Sequence, residues 1–309
     1  MKTFSKDSVS VDEQNSRYIV GKLNKLPEQH YYLRTDELVG WFDSVETYLD
    51  YITEKMPTPK QAKESVGEGD FYQFDTYEKA IDVYRNDPGS VLDFKEIPAE
   101  DIKQWDEIGS DISYGVTGDF VDIGRYMHGI PEVFGSMHNG NQRRYTVNLT
   151  LNVSYRGSTS VKTINERLKH VVALVDWLEL NNVRTSITAV KSNECSHIEI
   201  NVKELHELLD LRMLAVTSHS DFLRRATFRF SEYSDTFKHN YGSAVDYGSY
   251  TSSEYRDTPE DKLFGTSLDV FVDSYDTDED KYEQQFADLR QSIKLCIENE
   301  KTERLVVLR

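Results

Sequence analysis

Asp221 is followed at three and four residues by Arg224 and Arg225. On a helix that spacing gathers one carboxylate and two guanidinium groups on a single turn. They either pair with one another or leave a cationic pair free to grip a carboxylate or phosphate. Asp122 and Arg125 repeat the spacing of three, and the same two readings apply: a structural ion pair, or a ligand contact. Arg143 and Arg144 add a second local basic cluster to an acidic chain. His197, His206 and His219 are scattered, and no nucleophile can be matched to a base. The chain contains no Gly-x-Ser-x-Gly turn, His-Glu-x-x-His, Walker loop or Gly-x-Gly-x-x-Gly. An enzyme reading would therefore rest on an unfamiliar site made by Asp122, Arg125, Asp221 and Arg225.

The elements that must position these residues are legible from periodicity. From Tyr145 to Tyr155, Val147, Leu149, Leu151 and Val153 alternate with Thr146, Asn148, Thr150 and Asn152, which predicts a strand. Gly157-Ser-Thr-Ser160 is a turn that can cap a helix, with Ser158 as the expected cap. Ile164, Leu168, Val171, Val172, Val175 and Leu178 then mark one apolar helical face. Thr185–Val190 returns as a strand, and Ser196–Lys203 alternates cleanly after a short turn, forming a hairpin with it. That hairpin is expected to place an antiparallel strand at the edge of an otherwise parallel sheet. Leu208–Val216 and His219–Arg225 read as helices, Ala226–Glu232 and Thr266–Val272 as strands, Asp278–Asn299 as a long acidic helix, and Leu305–Leu308 as a closing strand. The alternation implies a three-layer α/β sandwich with a mostly parallel sheet.

The first half is less regular. Residues 1–30 read as a polar arm, ordered only if it docks. Residues 31–142 read as a small α+β region. It has a short strand within Tyr31–Trp41, a capped helix from Asp43 to Lys55, another from Asp75 ending at Asn86-Asp-Pro-Gly, and a short helix opened by Pro98. A polar linker at Ser136–Arg144 places the domain boundary near residue 143. Residues 234–256 read as a long loop carrying Tyr241, Tyr247, Tyr250 and Tyr255, residue types that suit a contact surface.

The order of elements, hairpin included, resembles a von Willebrand factor A-like domain. Three stretches, Val121–Glu132, Val171–Glu179 and Ser220–Phe228, look like an uncharacterised family of phage-encoded proteins. The resemblance covers residues 119–309. A metal-binding domain of that type carries Asp-x-Ser-x-Ser after its first strand. Aligned on that pattern, the positions here are Asn152, Ser154 and Arg156, with Ser160 as a further hydroxyl. An amide stands for the carboxylate and a cation for the last hydroxyl, a poor set for Mg²⁺. The resemblance thus implies a degenerate site without metal or other cofactor, on an edge that meets a partner.

Composition narrows the classes. The 309 residues are 38% hydrophobic and 29% charged, with a formal charge of −18. Such a chain is not expected to bind duplex DNA or acidic membranes. The charge fits either plain solubility or an acidic face that imitates nucleic acid. No apolar run reaches the roughly 20 residues of a membrane helix, and the first residues lack the apolar core of a secretory signal. Cys195 and Cys296 are too few for a disulfide framework. These readings favour a non-enzymatic phage protein of the host cytoplasm that binds a host or phage protein, for instance to inhibit a defence or nucleic-acid enzyme. A self-assembling homo-oligomer is the alternative.

Overall fold

The computed structural model describes residues 9–23, 38–56, 72–91, 112–118, 120–137, 145–155, 159–181, 183–192, 196–233, 267–272, 279–298 and 306–308. Its main strands are β1 (Val9–Gln14), β2 (Tyr18–Leu23), β3 (Leu38–Phe42), β7 (Thr146–Asn152), β8 (Arg184–Ser192), β9 (Ser196–Lys203), β10 (Ser267–Val272) and β11 (Val306–Leu308). They form one eight-stranded sheet in the order β1-β2-β3-β9-β8-β7-β10-β11. Three further strands, β4 (Ile112–Gly115), β5 (Phe120–Val121) and β6 (Phe134–Met137), make a small antiparallel sheet ordered β4-β6-β5. Ser136 and Met137, read as linker, belong to β6.

The predicted crossover is present. β7 pairs in parallel with β8, Leu149 opposite Ile187, and the helix α4 (Val161–Leu180) connects them. β10 lies parallel to β7 on its other side, and β11 parallel to β10. β8 and β9 form the expected antiparallel hairpin. However, β9 is not an edge: β3 pairs with it in parallel, Gly40 opposite Ile198. Hydrogen bonding on both sides suits β9 because its Ile198 and Ile200 are buried and its Glu199 is only 4% exposed. The hairpin of β1 and β2 continues the sheet beyond β3, with a bulge between Val11 and Glu13. Within the segment read as an arm, residues 9–23 form this hairpin on β3, and β3 pairs with β9 from beyond residue 143.

One face of this mixed sheet carries the core. Val20, Leu38, Phe42, Val147, Leu149, Leu151, Ile187, Ala189, Ile198, Ile200, Val270 and Val272 lie in phase on it. Against it pack α1 (Val45–Glu54), α2 (Tyr77–Asn86), α4, α5 (Leu211–Ser218) and the long helix α7 (Glu279–Glu298), whose Phe286, Leu289 and Ile293 are buried. Among the described residues, one helical layer and the sheet are therefore present, where a three-layer sandwich was expected. On the other face, Thr146, Asn148, Thr150, Ser186, Thr188 and Asn201 are partly exposed.

Helix starts follow the capping signals. The Ser44 hydroxyl accepts from the Thr47 N–H at 3.2 Å, and Thr76 caps α2 through the Lys79 N–H. The α4 cap is Ser160 rather than Ser158: its hydroxyl accepts from the Thr163 N–H at 3.0 Å, because the helix begins at Val161. The segment Ala226–Glu232, read as a strand, is helical. A π-helix, Phe222–Thr227, runs into α6 (Phe228–Glu232). Phe222, Ala226 and Phe230, four apart and all fully buried, set a helical stripe that outweighs the local alternation of Phe228 and Phe230. The helix expected after Pro98 falls outside the described residues.

Candidate functional site

The π-helix carries an unusual load of buried charge. Asp221, Arg224, Arg225 and Arg229 are between 0% and 6% exposed, and His219 is 1% exposed. A π-turn widens the helix and is a frequent mark of functional sites. The Asp221 carboxylate accepts the N–H of Phe74 at 2.6 Å and that of Gln73 at 3.1 Å, and its Oδ2 lies 3.7 Å from Arg225 Nε. Arg225 returns its Nη2 to the Phe74 carbonyl at 2.5 Å and lies 4.0 Å over the Tyr72 ring. The cluster thus straps the stretch before α2 onto the π-helix. Burial raises the Asp221 carboxyl above its ordinary range, against the pull of those two N–H groups and the arginines.

His219 sits behind this strap. Its Nδ1 accepts the Asp221 N–H at 3.2 Å and lies 2.8 Å from the Tyr84 hydroxyl, and its ring stacks on Phe74. An Nδ1 that accepts a backbone N–H carries no proton, so the ring is neutral. Burial accordingly pushes its pKa down to about 3. Arg224 points the other way, donating Nη2 to the Thr159 carbonyl at 2.7 Å, in the loop after β7. Burial lowers the Arg224 pKa.

At the carboxyl ends of β7 and β10 lies the crevice where strand order reverses, the usual ligand position on such sheets. Here it is filled by Arg167 of α4, which is fully buried. Its Nη2 donates to the Asn152 carbonyl at 3.1 Å and the Val272 carbonyl at 3.0 Å, and Nη1 donates to the Tyr155 hydroxyl at 2.6 Å. Asn152 Oδ1 is turned onto the Ser154 N–H at 3.0 Å. The Ser160 hydroxyl is spent on its helix cap. These residues do not fit a divalent cation: the guanidinium of Arg167 occupies the strand-end carbonyls and the Tyr155 hydroxyl, and an engaged amide stands where a carboxylate would be needed. Among the described residues no group of three or more His, Cys, Asp or Glu could hold a metal ion. Arg156, Tyr241, Tyr247 and Tyr250 lie outside the described residues.

Asp122 and Arg125 do not form the ion pair expected of them. Asp122 caps the short helix α3 (Ile123–Met127) by accepting the backbone N–H of Arg125 at 2.8 Å. The Arg125 side chain turns away, donating Nε to the Glu132 carbonyl and stacking 4.1 Å from the Tyr114 ring. Burial, with Asp122 next to it, pushes the Tyr114 hydroxyl up to about 12. α3 docks on α4 through the Ile123 N–H and Asp176. The partners described for this pair and for Asp221 and Arg225 do not overlap: Glu132 and Tyr114 for the one, residues 72–74 for the other.

Residues 24–299 match the model of a family described as Domain of unknown function (DUF7192). The chain belongs to that family. The DUF7192 match runs through both halves of the sheet, β3 and β9 included. A comparison with curated proteins returned no match.

Among the described residues a groove that the sequence did not reveal joins the DUF7192 match to the β1–β2 turn before it. It encloses about 430 Å³ and lies on the sheet face away from the helices. Arg17 and the turn around it form one wall, with Trp41 and Asp43 at the end of β3. Ser186 and Thr188 at the start of β8, and Glu199, Asn201 and Glu204 along β9, complete the lining. Because β8 and β9 are antiparallel, this is the amino end of β7, opposite the Arg167 crevice. Arg17 pairs with Asp43 at 3.4 Å, and Glu199 accepts from or faces His197 Nε2 at 3.1 Å. The lining thus carries three carboxylates, Asp43 paired with Arg17, Glu199 beside His197, and Glu204 accepting from the Asn201 amide at 2.9 Å. No described helix is long and apolar enough to cross a membrane.

Proposed function

We propose that this protein is a non-enzymatic phage accessory protein of the host cytoplasm that binds a macromolecular partner, a host protein with a basic surface. The observation that carries this reading is the groove on the sheet face opposite the helices, lined by Asp43, Glu199 and Glu204. In a chain of formal charge −18, such a groove attracts cations over a Debye length and selects against acidic partners. A nucleic-acid enzyme presents the matching basic surface, and occupying it would inhibit that enzyme. The von Willebrand factor A-like reading belongs to the same proposal. It is supported by the β7–α4–β8 crossover, the antiparallel β9 and the place of β10 beside β7. The charges that could have served catalysis are engaged elsewhere: Asp221 and Arg225 with residues 73–74, Arg224 with Thr159, and Arg167 with two strand ends.

The test is affinity capture from host lysate with the wild-type chain and the double variant Asp43→Asn/Glu204→Gln. A partner held at low salt, weakened at moderate salt, released by added DNA and lost from the variant supports the reading. Equal recovery by the variant, or nothing above background at either salt, overturns it.

Self-assembly is a second reading, favoured by β1. Among the described residues that strand ends the sheet and pairs only with β2, and it exposes Val11 at 40%. Light scattering separates the two: a monomer at all concentrations removes the homo-oligomer.

A further inference from the structure

Arg229, on α6, is 5% exposed, and its guanidinium is only half used. Nη1 lies 4.0 Å from Glu232 Oε2. Nε and Nη2 are fully buried and make no hydrogen bond. These two nitrogens form one edge of the planar group, with parallel N–H vectors, the fork that takes both oxygens of a carboxylate or two of a phosphate. The Tyr77 ring lies 5.8 Å from Arg229 Cζ, and its buried hydroxyl also makes no hydrogen bond. Arg225 Nε, one turn earlier, is likewise without a hydrogen bond and reaches only to 3.7 Å from Asp221. Buried donors of this kind are nearly always paired in folded proteins, and a buried cation most of all.

We propose that Arg229 and Tyr77 form a binding site for a small oxyanion, a phosphate or a carboxylate. The anion's two oxygens accept from Nε and Nη2 of Arg229, and the Tyr77 hydroxyl donates to the same group. Glu232 stays on the Nη1 side, where it orients the guanidinium without covering the fork. The site is separate from the acidic groove and takes the opposite charge, so it stands whether or not the groove binds a protein.

The test uses the full chain with inorganic phosphate and acetate as probes, against chloride at matched ionic strength, read by thermal melting and titration calorimetry. A saturable rise in Tm with either probe is expected, phosphate alone marking a phosphoryl ligand and acetate alone a carboxylate. Arg229→Lys keeps the charge and removes the fork, and is expected to weaken binding at least tenfold. Tyr77→Phe is expected to weaken it several-fold, and carries the test on its own if Arg229→Lys does not fold. No rise beyond chloride with either probe, or unchanged affinity in Tyr77→Phe and any folded Arg229→Lys, overturns the proposal.

Discussion

Asp221 and Arg225, one helical turn apart, hold the same short stretch of chain by its two kinds of backbone group. Asp221 accepts the Gln73 and Phe74 N–H groups, and Arg225 donates to the Phe74 carbonyl. Both side chains are buried, so removing one leaves the other charge without compensation. Asp221→Ala is expected to cost about 3–5 kcal/mol. Adding Arg225→Met to it is expected to cost less than the sum of the single changes, with a coupling of about 1–3 kcal/mol. Urea unfolding of the four chains measures this; additive costs would show that the two residues act separately.

His219 makes stability depend on pH in a stated direction. Its folded pKa is about 3, against an ordinary 6.5. Below pH 6.5 the unfolded chain takes up a proton that the folded chain refuses. The stability is therefore fully present above pH 6.5 and falls as acid is added, by up to about 1.4 kcal/mol per pH unit. Asp221, held above its usual range by burial, works in the opposite sense, and so the comparison is with His219→Asn, which retains it. The midpoint of the wild type is expected to fall from pH 7 to pH 5 more steeply than that of the variant. Parallel curves would mean that His219 is protonated in the folded state.

How much of this was legible depended on whether apolar period and local chemistry agreed. Around Val147 and Ile164 they agreed, and strand, crossover and hairpin emerged where expected. At Phe228 and Phe230 a two-residue alternation lay inside a four-residue stripe begun by Phe222, and only the packing of that stripe decided for a helix. β3 was too short to reveal that it pairs with β9 across some 150 residues of chain. For the site, the grouping of Asp221, Arg224 and Arg225 on one turn was visible, but their partners in residues 73–74 and 159 are long-range and left no pattern. Arg167 could have been noticed, since it falls within the apolar face of Ile164, Leu168 and Val171, where a cation must have a buried purpose.

Arg167 gives a prediction about metals. Its guanidinium joins the ends of β7 and β10 at Asn152 and Val272, and Asn152 is turned onto Ser154. Mg²⁺ or Mn²⁺ at millimolar concentration is expected to leave Tm unchanged. Arg167→Met is expected to cost about 3 kcal/mol or more, because two buried carbonyls and the Tyr155 hydroxyl lose their donor. A saturable rise in the wild-type Tm with Mg²⁺ would show that the guanidinium gives way to an ion.

Gly40 tests whether β3 and α6 are locked together. A Cβ at this position would lie 2.8 Å from Cζ of Phe230 and 2.9 Å from Cε2 of Phe42, both closer than side chains tolerate. The two rings meet edge to face with centroids 6.1 Å apart, and both are buried, so neither has free space to retreat into. Gly40→Ala is expected to destabilise by about 1–3 kcal/mol through overpacking. The absence of a side chain is then what lets Phe230 seat against the strand that carries the groove's Trp41. Trimming the ring tests that contact directly: in a Phe230→Leu background the contacts with the Phe230 ring are gone while Phe42 Cε2 stays 2.9 Å from the added methyl, so the further cost of Gly40→Ala is expected to fall by about 1 kcal/mol without vanishing. Chemical unfolding of the two single variants and the double variant measures it. An equal cost of Gly40→Ala in both backgrounds would place the clash elsewhere than Phe230.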